Sequence, residues 1–298
     1  MKLTLGPILY NWEPSAWRDF YFRIADEAPV DAVCVGEVVC SKRLPFFQDL
    51  VPEVVDRLAA AGKEVLLSSL ALVTLERERK QTASLAREAD LLVEVNDVTG
   101  LTHLMGRPHA IGPYVNVYNE ATLAWLARNG ARRICLPPEL PAASIAALAK
   151  ASPDVALEVW SFGRVPLAIS ARCYHARLHK LTKDNCQFVC GKDSDGLSAD
   201  TLDGQSFLSV NGVQTLSSSY ANLIESLPDL ESMGVTACRL SPQTCDMVTV
   251  ANAFRGVADG ELAPEEGKHA LDLICGDVPF SNGFFSGSIG ARYHAGAR

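Results

Sequence analysis

Short runs of β-branched and aliphatic residues alternate along the chain with longer stretches whose apolar positions recur every three or four residues. The runs at 3–9, 32–36, 64–70, 91–95, 114–118, 133–136, 156–160 and 236–240 are almost continuously hydrophobic. Such runs belong to strands buried on both faces, as in a parallel sheet. Between them the pattern predicts helices at 14–28, 46–61, 119–129 and 141–151. Pro14 sits just inside the first, where a missing N–H costs nothing. Gly62 follows the second as a C-terminal stop. Asn119 caps the third, Gly130 ends it, and Ser152–Pro153 closes the fourth.

Repeated strand–helix units of about thirty residues fit either an α/β barrel or a doubly wound sheet. The barrel is favoured. No G-x-G-x-x-G follows the first strand and no G-x-x-x-x-G-K-[ST] occurs, so the usual nucleotide-binding reasons for an open sheet are missing. Polar residues follow several strand ends: Glu37, Asn96, Asn116, the stretch 137–139 and Ser161. In a barrel these would meet at the C-terminal mouth, where active sites lie; each taken alone also reads as a helix cap. The expected fold is thus a single TIM-like α/β barrel over residues 1–298. A cysteine-bearing insertion interrupts it at about 173–218, and an irregular tail runs from about 264 to 298.

Composition narrows the function. Hydrophobic residues at 48% and charged residues at 21% of 298 exclude a disordered or collagen-like chain. A net charge of −8 argues against general binding to nucleic acid, which needs clustered Lys and Arg. The opening apolar run is broken by Gly6 and Pro7, too soon for a secretory signal. No run approaches the ~18 apolar residues of a membrane span. A cytoplasmic location with reduced thiols is therefore expected.

There are nine cysteines, an odd number that cannot pair completely. Cys34, Cys135 and Cys238 fall within predicted strands and read as small buried hydrophobes; Cys245 and Cys275 receive no role. The other four have basic neighbours: Cys40 precedes Lys42 and Arg43, Cys173 lies between Arg172 and Arg177, and Cys186 and Cys190 form a C-x₃-C flanked by Lys183 and Lys192. Positive neighbours favour the thiolate that binds metal and offset an anionic cluster. Three thiols from the insertion and a fourth from a distant strand end could close a Cys₄ site for an iron–sulfur cluster or for zinc. His175 and His179, four residues apart, are alternative zinc ligands in place of Cys40. No H-E-x-x-H, no G-x-S-x-G and no supported Ser–His–Asp set occurs, so peptidase chemistry is not expected. Glu37, three residues before Cys40, is a candidate substrate-facing or ligand-supporting group, or else a cap or ion-pair residue; Asn116, Arg239 and Gln243 are weaker candidates of the same kind.

The stretches LGPILYNW, CVGEVVCSKR, LSSLALV, VNVYNEATL, SFGRVPLAISARC, VNGVQTLS and RLSPQ resemble, in this order, the UbiV-like family of the collagenase-like peptidase superfamily. The resemblance implies a 4Fe–4S cluster held by a cysteine after G-E-x-V, one ending S-A-R-C and a closing C-x₃-C pair, which in this chain are Cys40, Cys173, Cys186 and Cys190. It further implies a role in oxygen-independent hydroxylation of ubiquinone precursors, small aromatic or prenylated molecules. Its implied partners are a homologous iron–sulfur subunit, UbiU, in a heterodimer, and the lipid-binding protein UbiT. Other members of the superfamily are described as peptidases or act in RNA hydroxylation.

Overall fold

A computed structural model describes residues 1–151 and 154–295. In chain order the first strands and helices alternate: β1 (Lys2–Leu5), α1 (Pro14–Glu27), β2 (Ala32–Val35), α2 (Leu44–Phe47), α3 (Val51–Ala60), β3 (Glu64–Ser68), α4 (Glu76–Glu88), β4 (Leu92–Val95), α5 (Leu101–Leu104), β5 (His109–Ile111), α6 (Glu120–Arg128), β6 (Ala131–Leu136), α7 (Ala142–Ala151) and β7 (Ala156–Ile169). An excursion follows: α8 (Tyr174–Leu178), β8 (Leu197–Asp200), β9 (Ser206–Asn211) and β10 (Gln214–Asn222). Then come α9 (Leu227–Ser232), β11 (Ala237–Leu240), α10 (Met247–Ala258), α11 (Pro264–Ile274) and β12 (Phe280–Ser281).

Strands β1 to β7 pair in sequence, each parallel to the next, and β11 closes the ring by pairing in parallel with both β7 and β1. The result is an eight-stranded parallel barrel surrounded by helices, the expected TIM-like fold. The longer helices pack their buried residues on the barrel. On α1 the buried residues Trp17, Tyr21, Ile24 and Ala25 repeat with helical spacing.

The barrel differs from its usual plan at β7. This strand runs for 14 residues, pairs with β11 as far as Phe162, and then continues beyond the rim to pair antiparallel with β10. A register shift opposite Arg239 and Leu240 marks the exit point. Gly163 there has φ of +104°, and a Cβ would fall 2.7 Å from Gln243 Nε2, so a side chain is excluded on both counts. The excursion builds a small antiparallel sheet of β8, β9 and β10 beside the C-terminal mouth.

Several boundaries depart from the sequence pattern for identifiable reasons. The run 114–118 is not a strand. Pro113–Val115 form a 3₁₀ turn, Asn116 is left-handed with φ of +61°, and the fifth strand is the three-residue β5 before them. Pro113 cannot donate to a ladder, which ends the strand early. The helix expected over 46–61 is two helices, because Pro52 fits only the first turn of a new one. The tail expected to be irregular from 264 begins with α11. Neither α4 nor α10 was foreseen; α4 is so polar that its buried Glu78, Thr82, Ala83 and Ala86 leave no clear apolar stripe in the sequence. The stop expected at Ser152–Pro153 lies outside the described residues. No helix among the described residues is long and apolar enough to cross a membrane.

The barrel interior is small and polar rather than filled with branched aliphatic residues. Strand alternation turns Thr4, Cys34, Ser68, Glu94, Cys135, Glu158 and Arg239 away from the helices, and all are buried. The Arg239 guanidinium donates to both Glu94 and Glu158. Burial works against ionisation of Glu94, but the charge of Arg239 and hydrogen bonds from Arg239, Ser68 and Asn96 outweigh it and hold the carboxyl below its ordinary range. Of the readings the sequence left open for Arg239, the structure shows the ion-pair one: it bridges two buried carboxylates.

Breaking this triad should be costly. Arg239→Met leaves the buried Glu94 without its counter-charge and Glu158 with only the charge of Arg133, and the expected loss is about 3–5 kcal/mol in urea denaturation. The sign of its pH dependence follows from linkage. In the parent, the lowered pKa of Glu94 contributes stability above about pH 4 that fades on acidification. In the variant the stranded Glu94 carboxyl must take up a proton, so stability falls as pH rises. The gap between the two proteins should therefore be wider at pH 8 than at pH 5; an equal gap would show that the triad is not ionised.

Candidate functional site

The C-terminal end of β2 sets the first part of the site. Glu37 is 7% exposed, and its Oε1 accepts the backbone N–H groups of Val39 (2.7 Å) and Cys40 (2.9 Å). The chain then turns, with the Arg43 N–H donating to the Cys40 carbonyl at 2.9 Å. Ser41 Oγ anchors the turn to α4 by donating to Glu78 at 2.7 Å.

The second part comes from the excursion. Cys173 is the N-cap of α8, and its Sγ accepts the Ala176 N–H at 3.4 Å. Cys186 and Cys190 bracket a tight loop in which Gln187 and Phe188 both have positive φ, +48° and +52°. Two successive non-glycine residues in the left-handed region are costly, at about 1–3 kcal/mol each, and are characteristic of functional loops. Phe188 offsets part of this by packing edge-on against Phe46, with ring centroids 4.7 Å apart. Lys42 reaches across to donate to the carbonyls of Lys183 (2.6 Å) and Asp184 (3.0 Å), and Lys183 donates to the Ala171 carbonyl at 3.1 Å.

These segments enclose one small cavity. It is lined by Cys40, Cys173, Cys186 and Cys190 together with Lys42, Arg43 and Lys183. The fold therefore brings together all four cysteines that the sequence separated by their basic neighbours. Burial pushes the Cys40 thiol up, Arg43 pulls it back and Glu37 adds to the rise. Burial likewise raises Cys173, against the N–H of Ala176 and with the Cys190 and Cys186 thiols adding to it.

Arg43 is the residue whose importance the sequence understated. It is 1% exposed; Nη1 donates to the Leu9 carbonyl at 2.7 Å and Nη2 to Asn211 Oδ1 at 2.9 Å. Its Nε has no partner. Burial disfavours its charge, but Glu37, Cys190 and Cys40 more than compensate. Gly212, in the β9–β10 turn, has φ of +63°, and a Cβ there would lie 2.8 Å from Arg43 Nη2. A glycine in a turn was visible in the sequence; that it clears space for a guanidinium was not.

The remaining candidates separate. Glu37 also borders an apolar cavity of about 220 Å³ between α2, α3 and α4, walled by Leu44, Val51, Leu67, Leu70 and Leu85. Burial raises its pKa, against the pull of Arg43 and the two backbone N–H groups. Gln243 accepts from the Tyr10 hydroxyl at 2.9 Å and borders an open cleft with Trp12 and Phe20. Asn116 is exposed on its turn, away from the cysteines. Cys34, Cys135 and Cys238 are buried, as their strand positions predicted. Cys245 lies beside Cys275, which together with burial raises its pKa.

The two histidines weighed as substitutes for Cys40 do not line the cysteine cavity. They meet Asp193 instead: among the described residues, His175, His179 and Asp193 each offer a ligand atom within 4.8 Å of the others, a grouping that the four thiols do not form. Burial lowers the pKa of His175, although Asp193 pulls it upward.

In comparison with known families, the model described as Peptidase family U32 matches residues 21–293, and the chain belongs to this family.

Arg43 provides a direct test of how the site is held. Arg43→Met should destabilise the metal-free protein by about 3–5 kcal/mol, because it strands Glu37, leaves Asn211 Oδ1 unfilled and takes one of two donors from the Leu9 carbonyl. Arg43→Lys should recover only part of that loss, since a point charge cannot serve both acceptors as a planar fork does. Full recovery by lysine in chemical denaturation would reduce the role of Arg43 to charge alone.

Proposed function

We propose that this member of peptidase family U32 holds a 4Fe–4S cluster on Cys40, Cys173, Cys186 and Cys190, and works as an iron–sulfur subunit in oxygen-independent hydroxylation of ubiquinone precursors. The observation that carries the cluster is the convergence of four thiols from two distant parts of the chain on one cavity beside a buried arginine. The partnerless Nε of Arg43 and its attraction to Cys40 and Cys190 supply a fixed positive charge where an anionic group would sit. Spacing argues against zinc in the same place. A tetrahedral zinc ion would draw its thiolates to about 3.8 Å from one another, whereas the four thiols do not form a group within 4.8 Å.

When bound, the cluster supplies one-electron transfer at a potential set by charge, hydrogen bonding and exposure. The protein's own residues prepare both sides of it. Arg43 and the lysines keep the thiols near positive charge, and the Glu37 carboxylate orders the Cys40 turn. The cavity behind Glu37 has apolar walls and a single carboxyl group at its edge, which suits an aromatic molecule bearing a hydroxyl or carboxyl substituent. Burial raises the pKa of Glu37, and its place at the cavity edge suits a group that exchanges a proton with a bound molecule. The pairing with UbiU, and the lipid-binding companion UbiT, belong to the same reading and rest on the sequence resemblance. Hydrolysis has no comparable support: the four thiols would be committed to the cluster, and no Ser–His–Asp set surrounds the cavity.

Anaerobic purification tests the cluster. The expected product is brown, with about four iron and four sulfide per chain. Changing any one of Cys40, Cys173, Cys186 or Cys190 to Ala should bleach it, whereas Cys135→Ala should not. A colourless protein with zinc on these thiols would overturn the assignment. The pathway is tested separately: deletion of the gene should remove ubiquinone from cells grown without oxygen and spare it in aerated cells. Unchanged anaerobic ubiquinone would refute the role while leaving the cluster standing.

A further inference from the structure

His175 lies on α8 and His179 caps its end, one turn apart, so the two imidazoles share a helix face. Their rings are nearly parallel, with centroids 5.6 Å apart and planes inclined by 9°. Asp193 follows the 3₁₀ turn Val189–Lys192 that carries Cys190, and its Oδ2 lies 2.8 Å from His175 Nε2.

The hydrogen bonds of His175 do not balance for a neutral ring. Nδ1 is 3.2 Å from the Val210 carbonyl and Nε2 is 2.8 Å from Asp193 Oδ2; both partners only accept, so a neutral ring with one N–H can donate to one of them and leaves the other contact without a hydrogen. In the tautomer with its hydrogen on Nδ1, the contact left over is the one to Asp193. A proton would satisfy that single contact; a metal ion would satisfy it and also engage the His179 nitrogen, which lies within the same 4.8 Å grouping. The Nδ1–H···O=C bond is the one that metal-bound histidines commonly make with the nitrogen facing away from the ion.

We propose that His175, His179 and Asp193 form a second metal centre, separate from the cysteine cavity, that takes a divalent ion of the zinc class. Two imidazoles and one carboxylate are a donor set such ions favour, with a fourth position left for water. His179 is exposed and Asp193 half-buried, so an ion can enter from solvent without opening the fold. The location suggests the purpose. His175 is two residues after Cys173, and Asp193 is three after Cys190. One ion would pin α8 to the end of the C-x₃-C loop, converting its binding energy into order of the segments that carry three of the four cavity cysteines. The centre itself does not depend on those cysteines holding iron.

The test uses the full chain, purified anaerobically from cells supplied with zinc. About one zinc per chain is expected, and it should persist in a protein with Cys40, Cys173, Cys186 and Cys190 all changed to Ser. His179→Ala and Asp193→Asn should each lose the zinc while keeping the parent's circular dichroism; His179 is exposed, so its replacement leaves packing intact. Cobalt(II) titrated into the four-serine protein should give visible bands that disappear in His179→Ala. Zinc lost on removing the cysteines but retained in His179→Ala would place the ion on the thiols and overturn the proposal. Absence of both zinc and cobalt binding would overturn it too, leaving a histidine–aspartate hydrogen bond. Either result can be read whether or not the cysteines carry iron.

Discussion

A buried guanidinium organises the functional end of this protein. Arg43 joins the segment that follows β1, through the Leu9 carbonyl, to the β9–β10 hairpin, through Asn211, and does so beside the cysteine cavity. Asn211 also donates to the Leu9 carbonyl, at 2.8 Å, so the same acceptor receives both partners. This pair of bonds acts with the extension of β7 and with the contacts of Lys42, Trp12 and Phe46 to hold the excursion on the barrel rim. A fully buried cation is expensive unless charge and hydrogen bonds compensate it. Glu37 is the permanent compensation, and the Cys40 and Cys190 thiols supply the rest when ionised. The electrostatics of the fold and of the site are therefore one problem: the cation that holds the rim together is the one that makes the cavity suitable for anionic ligands.

The barrel beneath serves as a rigid frame whose interior is itself ionic. Arg239 between Glu94 and Glu158 fills space that aliphatic layers occupy in most barrels of this kind. Such a triad does not add stability over a well-packed apolar core, but it tolerates few alternative arrangements, because each misplacement strands a charge. Its position fixes the register of β4, β7 and β11 against one another. That register determines where β7 leaves the barrel at Gly163, and so where the cysteine-bearing excursion begins.

Much of this was legible in the sequence, and the failures are instructive. Continuous apolar runs gave seven of the eight barrel strands in position, because strands buried on both faces carry that pattern whatever surrounds them. The fifth strand was misplaced: β5 has three residues, too few for a pattern, while the more hydrophobic run after it contains Pro113 and a left-handed Asn116. In the site, basic neighbours singled out the four cysteines because charge near a thiol is a local property. The roles of Arg43, Gly212 and Asp193 could not be read in the same way, since each acts across a gap in sequence that only the closed fold bridges. Arg239 shows the opposite limit. A charged residue inside a predicted strand reads equally as a substrate-facing group or an ion-pair residue until both of its carboxylate partners, 81 and 145 positions away, are known.

Net charge shows the same limit from another side. The chain sums to −8, yet the cavity is lined by Lys42, Arg43 and Lys183. Electrostatic interaction between exposed groups decays within about 10 Å in physiological salt, whereas buried groups are screened far less. The distant surface acids that dominate the sum are therefore weakly felt at the thiols, and a single guanidinium beside them outweighs many. The total argues against a broad nucleic-acid surface and is silent about the site. What decides the site's chemistry is that one of its cations has been taken out of water and fixed in place, so that any group entering the cavity meets a positive charge whose reorganisation was already completed on folding.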